Sequence, residues 1–437
     1  MMRRQILDAL SDWKTEENRK VLLLRGARQV GKTYIVRELA KEFKHFVEIN
    51  FEKNTETHSF FDQNLDPERI CTNLSAYFMV PIIEGETLLF FDEIQSCSKA
   101  IQALRFFYES KPKLHVIAAG SLLEFALSDL TSWGVGRIRS LYMYPMSFDE
   151  FLLANEEDAL IEMKKKASAA KPIIPAFHQK LNEYLRYFLL IGGMPETVKT
   201  FIGNRTDMNS VQNVLSDIAI SYYDDFAKYK RRIPVLRLRE VMNSVVNQAG
   251  GKYIYSKAGS LSNPAQAKEA LDLLEMAGLV YKVYHSSGQG VPLGSGVNFK
   301  KFKCLLHDSG IFQQIAGLRI TDLMVAENID MLNKGSIAEA FVGVELIKYS
   351  QETEKKHLYY WHREKRGSNA EVDYLVEEGT QIVPVEIKSG TTGKMQSMNL
   401  FINEKKSFKG IRISLENFSQ YGKITVIPLY AVSNLIQ

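Results

Sequence analysis

A glycine-rich loop that ends in lysine and threonine stands near the N-terminus of this 437-residue chain. It consists of Gly26, Ala27, Arg28, Gln29, Val30, Gly31, Lys32 and Thr33. The spacing fits the phosphate-binding pattern G-x-x-x-x-G-K-[ST], in which glycines let backbone N–H groups turn inward around phosphate oxygens. Lys32 can then reach the β- and γ-phosphates of a nucleotide, and the Thr33 hydroxyl can ligate Mg²⁺. All eight residues are therefore predicted to bind nucleotide phosphates, with Lys32 also acting in catalysis.

Two adjacent carboxylates supply the second chemical signal. Asp92 and Glu93 follow an apolar run at residues 88–91. At the end of a buried strand, Asp92 can hold Mg²⁺ directly or through water, and Glu93 can orient or deprotonate the attacking water. The plainer alternative is a strand that ends in two solvated carboxylates. Because a phosphate loop precedes them in the chain, we interpret the pair as the hydrolytic partner of that loop.

A third set of charged residues lies near the C-terminus. Asp373, Glu386 and Lys388 have the spacing D-x₁₂-E-x-K. Glu386 and Lys388 alternate on one predicted strand and therefore face the same side. Two carboxylates that converge with a lysine can bind Mg²⁺ or Mn²⁺, activate water and stabilise the charge that develops in phosphodiester hydrolysis. An ordinary charge pair on a strand face explains the same residues, so a nuclease-like site is one of two interpretations.

The phosphate loop requires a strand before it and a helix after it. Residues 21–24 are an apolar run typical of a buried strand, and residues 34–40 have apolar side chains at helical spacing. Further strands are predicted at 46–51 and 114–121, with helical segments between them. Strands that alternate with helices indicate an α/β fold with a parallel sheet. We assign this P-loop domain to residues 1–155.

The remaining chain is divided by its composition and by helical or alternating patterns. Residues 156–233 are predicted as a helical linker or bundle, 234–310 as a winged-helix-like module and 311–437 as an α/β domain with the C-terminal charged set. The second helix of the winged module is poor in basic residues. Lys300, Lys301 and Lys303, on its later strand, are better candidates for contacts with DNA phosphates. Packing against protein is the alternative for this module.

The composition is that of a globular protein, with 45% hydrophobic and 24% charged residues. A formal net charge of +4 is compatible with nucleic-acid binding without arguing for it. Three separated cysteines, Cys71, Cys97 and Cys304, form neither a zinc spacing nor a disulfide framework. No apolar run reaches the roughly 18 residues of a membrane helix. We therefore predict a cytoplasmic protein without a membrane partner.

Several further motifs, taken with the phosphate loop, resemble a known family. They are Phe-Phe-Asp-Glu-Ile-Gln, Ala-Gly-Ser-Leu-Leu, Gly-Arg-x-x-x-Leu-x-x-Tyr-Pro-Met-Ser-Phe-x-Glu-Phe and Ile-Gly-Gly-Met-Pro-Glu. The combination is similar to a bacterial and archaeal family of AAA+-type ATPases that end in a restriction-endonuclease-like domain of the PD-(D/E)xK kind. The resemblance covers the chain nearly end to end, and it implies ATP as the nucleotide.

The resemblance also implies roles for individual residues. Ser121 would sit between the acidic pair and the γ-phosphate, and a helix-capping serine is the alternative. Arg137 would supply positive charge to a γ-phosphate, either across a subunit contact of an oligomer or within one chain, whereas a surface arginine is the alternative. Glu339, on a predicted helix, would match an acidic residue of the nuclease-like site, where a second Mg²⁺ or an Mn²⁺ would bind.

Taken together, these features favour an ATP-hydrolysing protein coupled to a nuclease-like, DNA-directed C-terminal module. Two alternatives stay open. In one, the chain is a metal-dependent nuclease that ATP gates. In the other, it is a signalling or scaffold ATPase whose C-terminal domain only docks a protein partner.

Overall fold

The computed structural model describes residues 2–121, 123–128, 136–226, 233–260, 263–325, 335–365, 367–390 and 395–436. Within these residues the chain forms two β-sheets. The first sheet lies in the N-terminal part, and the second is built from the C-terminal part together with a hairpin of the middle part.

The N-terminal sheet has five parallel strands in the order β2-β3-β4-β1-β5. The strands are β1 (Val21–Arg25), β2 (His45–Asn50), β3 (Thr87–Asp92), β4 (His115–Ala119) and β5 (Ile138–Tyr142). Every residue of β1, β3 and β4 is buried, which explains why the sequence shows them as unbroken apolar runs. Because these three strands are parallel neighbours, their carboxyl ends meet at one edge of the sheet. The predicted parallel-sheet α/β domain is confirmed.

Helices cover this sheet and form most of the middle of the chain. In the N-terminal part they are α1 (Ile6–Thr15), α2 (Lys32–Ala40), α3 (Pro67–Phe78), α4 (Ser98–Ser110), α5 (Leu123–Ser128) and α6 (Phe148–Ala154). In the middle part they are α7 (Asp158–Lys166), α8 (Pro175–Ile191), α9 (Pro195–Gly203), α10 (Met208–Asp225), α11 (Val235–Asn247), α12 (Pro264–Met276), α13 (Ser309–Ile315) and α14 (Ile320–Val325). Proline occupies the first turn of α8, α9 and α12, where its missing N–H costs no helical hydrogen bond.

The second sheet has eight strands in the order β12-β13-β11-β10-β9-β8-β6-β7 and is of mixed direction. Its strands are β6 (Val280–Ser286), β7 (Val297–Leu306), β8 (Leu358–His362), β9 (Glu371–Glu378), β10 (Gln381–Ile387), β11 (Gly410–Ser414), β12 (Ser419–Tyr421) and β13 (Ile424–Pro428). Two further helices belong to this part, α15 (Gly335–Lys348) and α16 (Gln396–Lys405). Short 3₁₀ turns occur at Thr55–Phe61, Ile94–Ser96, Tyr255–Lys257, Leu293–Gly296 and Leu429–Leu435.

The predicted wing strands exist, but they do not form a separate module. Strand β6 pairs with β7 on one side and, in parallel, with β8 on the other. The sheet therefore crosses the boundary that the sequence suggested at residue 310. An isolated two-stranded hairpin is at best marginally stable in water, and here the pairing with β8 gives the hairpin the rest of the sheet as support.

Candidate functional site

The phosphate loop connects β1 to α2, as the motif requires. Gly26 has φ +147°, and a Cβ there would lie 2.1 Å from the Met143 carbonyl oxygen, so no other residue fits without a backbone shift. Gly31, at φ +95°, occupies the N-cap position of α2, and this left-handed conformation is one that glycine adopts without steric cost. Both glycines therefore allow the backbone of the phosphate loop to adopt this conformation.

Lys32 is folded over the loop that contains it. Its ammonium donates hydrogen bonds to the carbonyl oxygens of Gly26 and Ala27, at 2.9 and 2.8 Å. Burial lowers the pKa of Lys32 to about 8, although the nearby carboxylates of Glu93 and Asp92 act in the opposite direction. The ammonium thus lies on the phosphate loop, within electrostatic reach of the acidic pair.

The lowered pKa of Lys32 predicts how nucleotide affinity depends on pH. Below pH 8 the side chain is charged and attracts phosphate, whereas above pH 8 nucleotide binding must first return a proton to it. We expect the Kd for ATP to rise by up to about tenfold per pH unit above pH 8. Titration of ATP affinity between pH 7 and pH 10 measures this. In the matched variant Lys32→Arg the charge persists over that range, so the profile should flatten; equal slopes in the two proteins would contradict the prediction.

Asp92 lies beside Thr33, as the sequence predicted. The Thr33 hydroxyl donates to Asp92 Oδ2 at 3.1 Å, and the Asn50 amide donates to the same oxygen at 3.2 Å. Burial, and then the charge of Glu93, raise the pKa of Asp92 above its usual value. A divalent cation at this point would stabilise the charged form of Asp92 against both burial and the charge of Glu93. Hydroxyl and carboxylate oxygens are the ligands that Mg²⁺ prefers. Asn50, which ends β2, is a site neighbour that the motifs did not indicate.

Glu93 adopts a backbone conformation that is rare for a side-chain-bearing residue, with φ 48° and ψ 43°. Such left-handed residues concentrate at functional sites because the surrounding fold must stabilise them. The Glu93 carboxylate accepts a hydrogen bond from the Gln95 amide at 2.7 Å and contacts the Ser121 hydroxyl at 3.4 Å. Ser121 therefore lies next to the acidic pair, at the end of β4. Its proposed role toward a γ-phosphate stays a prediction.

An open cleft of about 420 Å³ borders this group of side chains. It is lined by Thr33, Arg37, Glu48, Asn50, Lys53, Asn54, Asp92 and Glu93. The Arg37 guanidinium and the Glu48 carboxylate form an ion pair at 2.7 Å across the cleft wall. The polar lining is consistent with a charged ligand rather than an apolar one.

Two residues of the phosphate loop direct their side chains toward α10, and their predicted contact with the nucleotide, through backbone N–H groups, stays a prediction. Arg28 forms an ion pair with Asp225, and Gln29 accepts a hydrogen bond from the Ser221 hydroxyl at 3.4 Å. The Tyr222 hydroxyl also donates to the Arg28 carbonyl oxygen at 3.3 Å. The phosphate loop is thus bound to the helical middle of the chain through the last turns of α10.

Arg137 lies far from the phosphate loop of its own chain. It immediately precedes β5, whose first residue, Ile138, pairs with Val21 at the start of β1. The loop follows the other end of β1, about 13 Å away at the rise of a β-strand. Arg137 forms an ion pair with Glu109. The option that Arg137 acts within one chain therefore disagrees with this structure, and a role across a subunit contact stays a prediction.

The C-terminal charged residues come together in a second cluster. Glu386 forms an ion pair with Lys388 at 2.7 Å, and Asp373 accepts a hydrogen bond from the Ile387 N–H at 2.7 Å. Burial raises the pKa of Asp373, and the charge of Glu386 adds to that rise. Glu339, on α15, is 8% exposed and also interacts electrostatically with Asp373. The four residues predicted from the sequence therefore lie in one region of the fold: Glu339, Asp373, Glu386 and Lys388.

Lys303 belongs to this cluster, and the sequence placed it wrongly. It was expected on an exposed wing, but it is 1% exposed and pairs with Glu339 at 2.7 Å and with Glu371 at 2.6 Å. Burial alone would lower the pKa of Lys303, but the carboxylates of Glu339, Asp373 and Glu371 together outweigh burial and raise it. Burial, together with the nearby charges of Asp373 and Glu371, raises the pKa of Glu339 in spite of its pair with Lys303.

The described part of the chain contains no group of three or more His, Cys, Asp or Glu side chains arranged around one point for a metal ion. In the C-terminal cluster, the ammonium groups of Lys303 and Lys388 already pair with carboxylates. One atom stands out: Glu386 Oε2 is buried and accepts no hydrogen bond from the residues that the structure describes. Two carboxylates, Asp373 and Glu386, are therefore the ligands that this cluster could offer to a cation.

Comparisons with protein families assign the N-terminal part. Residues 18–152 match the family model described as an AAA domain. This segment contains the phosphate loop, Asp92, Glu93 and Ser121, and the match supports an ATPase of the AAA, P-loop type, which implies ATP and Mg²⁺ as its ligands. Residues 182–322 and 334–432 match two models that are each described as a domain of unknown function (DUF8612 and DUF4143).

Comparisons with individual proteins find distant likenesses. No curated protein matches the chain. Among solved structures, the Walker-type ATPase PabY2304 of Pyrococcus abyssi is 15% identical, with 72% of this chain and 96% of that chain covered and a TM-score of 0.46. The Aeropyrum pernix ORC1 protein in complex with DNA is 13% identical, with 74% and 93% covered and a TM-score of 0.26. At TM-scores below 0.5, neither likeness bears on the function of this chain.

Among the described helices, none has the length and apolarity needed to cross a bilayer.

Proposed function

We propose that this protein hydrolyses Mg²⁺-ATP and couples the nucleotide cycle to a nuclease-like, DNA-directed module in its C-terminal part. The observation that carries the first half is the contact of Thr33 with Asp92, next to a left-handed Glu93, inside an AAA domain. Asp92 ends β3, Glu93 follows it, and Thr33 lies in the first turn of the helix after β1, so the three stand at the carboxyl edge of one parallel sheet, where ligands of open α/β folds bind.

Each residue of the nucleotide site has a distinct part in this proposal. The loop N–H groups and the Lys32 ammonium bind the phosphates, and Thr33 and Asp92 offer oxygen ligands to Mg²⁺. The cation, when bound, neutralises charge on the β- and γ-phosphates. Glu93 accepts a proton from the attacking water or orients it. Ser121, beside Glu93, fixes the carboxylate on the side of the γ-phosphate.

The ion pair between Arg28 and Asp225 supports coupling to the rest of the chain. Arg28 lies within the phosphate loop, so a change in the loop on hydrolysis alters the position of the last turns of α10. This helix packs against α8, α9 and α13. Nucleotide state is therefore transmitted first to the helical middle of the chain.

The nuclease-like half of the proposal depends on Asp373, Glu386 and Lys388. Mg²⁺ is often held by one or two carboxylates together with substrate phosphates, so two carboxylates are enough for one cation. Glu386 Oε2, buried and without a hydrogen bond from the described part of the chain, is an acceptor that such a cation would satisfy. Lys388, 29% exposed at its side chain, is open to a phosphate.

One observation favours the alternative of a non-catalytic docking domain. Lys303 and Lys388 already pair with Glu339, Glu371 and Glu386, so most carboxylates of the cluster have an ion-pair partner within the chain. A domain of this kind would bind a protein partner and leave ATP hydrolysis as the only chemistry of the chain.

A nuclease assay separates the two functions. We expect Mg²⁺- or Mn²⁺-dependent cutting of DNA by the purified protein and a loss of about 10²-fold in Lys388→Ala, with ATP turnover within about twofold of the parent. Lys409→Ala is the matched control, because Lys409 pairs with Glu378 on the surface of the same sheet. No cutting by the parent protein with either metal, on single- or double-stranded DNA, would favour the docking alternative. ATP turnover measured with and without DNA shows whether DNA is the effector.

A further inference from the structure

A buried arginine precedes the first helix, and no motif of the sequence pointed to it. Arg4 is 6% exposed. Its guanidinium donates three hydrogen bonds from three different nitrogens: to Glu150 Oε1 at 2.9 Å, to the Val30 carbonyl oxygen at 2.8 Å and to the Tyr144 carbonyl oxygen at 2.7 Å. One side chain thus joins the start of the chain, the phosphate loop, the segment after β5 and the first turn of α6.

The contact with Val30 reaches a specific peptide group of the phosphate loop. Val30 C=O and Gly31 N–H belong to the same peptide, and in a planar trans peptide these two groups point in opposite directions. Because Arg4 is buried beneath the loop, its hydrogen bond to Val30 turns the Gly31 N–H toward the open side of the loop. Backbone N–H groups at a helix N-terminus bind phosphate oxygens from that side.

Glu150 fixes the position of Arg4. One oxygen of its carboxylate accepts from Arg4 Nε and from the Gln5 N–H, at 2.9 and 2.8 Å, and the other accepts from the Ser147 N–H at 2.9 Å. Glu150 is itself 5% exposed and completes the capping box of α6. The arginine is therefore anchored by a carboxylate that has no freedom to move away.

We propose that Arg4 is a positioning residue for the phosphate loop, with Glu150 as its anchor. The proposal rests on the ATP binding proposed above. Arg4 reaches the phosphates only through the peptide between Val30 and Gly31, and it presets an N–H donor before the nucleotide arrives. A preorganised donor spares the nucleotide the free energy of ordering the loop. Loss of Arg4 therefore weakens nucleotide binding, while the remaining fold persists.

Calorimetric titration with the non-hydrolysable analogue AMP-PNP and Mg²⁺ tests the proposal, because it gives affinity and stoichiometry separately. For Arg4→Met we expect a Kd raised by about tenfold at an unchanged stoichiometry of one per chain, and for Arg4→Lys an intermediate Kd. Arg3→Met is the matched control, since Arg3 is adjacent in the chain but 70% exposed at its side chain, and its Kd should equal that of the parent.

Two results would overturn the proposal. One is an unchanged Kd in Arg4→Met, and the other is a reduced stoichiometry at unchanged Kd, which indicates only a smaller folded fraction. If Arg4→Met does not fold, Glu150→Gln takes its place, with an expected rise in Kd of about threefold. An unchanged Kd in Glu150→Gln would likewise overturn the proposal. A parent protein that binds no AMP-PNP would instead contradict the proposed ATP binding and is thereby distinguished from a failure of Arg4.

Discussion

Replacing Glu93 with glutamine is expected to lower the kcat for ATP hydrolysis by about 10²- to 10⁴-fold, which is the usual contribution of a general base. Glutamine preserves the shape of the side chain and its contacts with Gln95 and Ser121, but it cannot accept a proton from water. Because Asp92 and Thr33 are untouched, the affinity for Mg²⁺-ATP should stay within about threefold of the parent value. Steady-state phosphate release and equilibrium ATP binding measure the two quantities separately.

The matched control for this variant is Glu86→Gln. Glu86 immediately precedes β3 and pairs with Lys44, so it lies at the end of the strand opposite to Glu93. Its kcat should equal that of the parent. If Glu93→Gln retains the turnover of the parent, Glu93 is not the general base. If the variant loses ATP affinity along with turnover, Glu93 acts in nucleotide binding.

Replacing Lys303 with methionine is expected to lower the free energy of unfolding of the C-terminal sheet by about 3–5 kcal/mol, the usual cost of removing one partner of a buried ion pair. The Lys303 side chain is 2% exposed, and its ammonium pairs with Glu339 and Glu371, so solvent screens little of the interaction. Its removal leaves two carboxylates with no cation between them. Hydrogen exchange of amides in β7 and β9 measures the loss where it occurs.

Two comparisons make the Lys303 prediction specific. Lys301→Met, on the same strand, removes an exposed pair with Glu364 and should change stability by less than about 1 kcal/mol. Adding Glu339→Gln to Lys303→Met should restore part of the lost stability, because one unpaired carboxylate disappears. The loss should also be smaller at pH 5 than at pH 8, since burial raises the pKa of Glu339 and protonation removes its charge. Equal losses for Lys301→Met and Lys303→Met would contradict this account of the cluster.

The nucleotide site was predictable from the sequence because its determinants are local. The loop motif fixes the order strand, loop, helix within a few residues, and the apolar run before Asp92 identifies a buried strand whose end carries two carboxylates. In a parallel sheet such strand ends meet at one edge. The contact between Thr33 and Asp92 therefore follows from the chain order once the sheet is assumed.

The C-terminal cluster was predictable only in part. The alternation of Glu386 and Lys388 predicted them on one face of a strand; the two side chains do pair, but β10 ends at Ile387 and Lys388 follows it, and Asp373 lies near them. Alternation does not show which face a neighbouring element covers. Lys303 was therefore taken as exposed, although the sheet continues from β6 to β8 and Lys303 pairs with Glu339 on α15.

The sequence alone thus determined the elements, the phosphate loop and the types of side chain that could do chemistry, because each depends on residues close in the chain. Only the tertiary structure decided which residues from distant parts of the chain contact those sites and which lie away from them. Arg4 donates hydrogen bonds to Val30, 26 positions later in the chain, and to Glu150, 146 positions later. Arg137 lies beside the start of β1, at the opposite end of that strand from the phosphate loop. Such contacts arise from packing and burial of charge, and no local pattern encodes them.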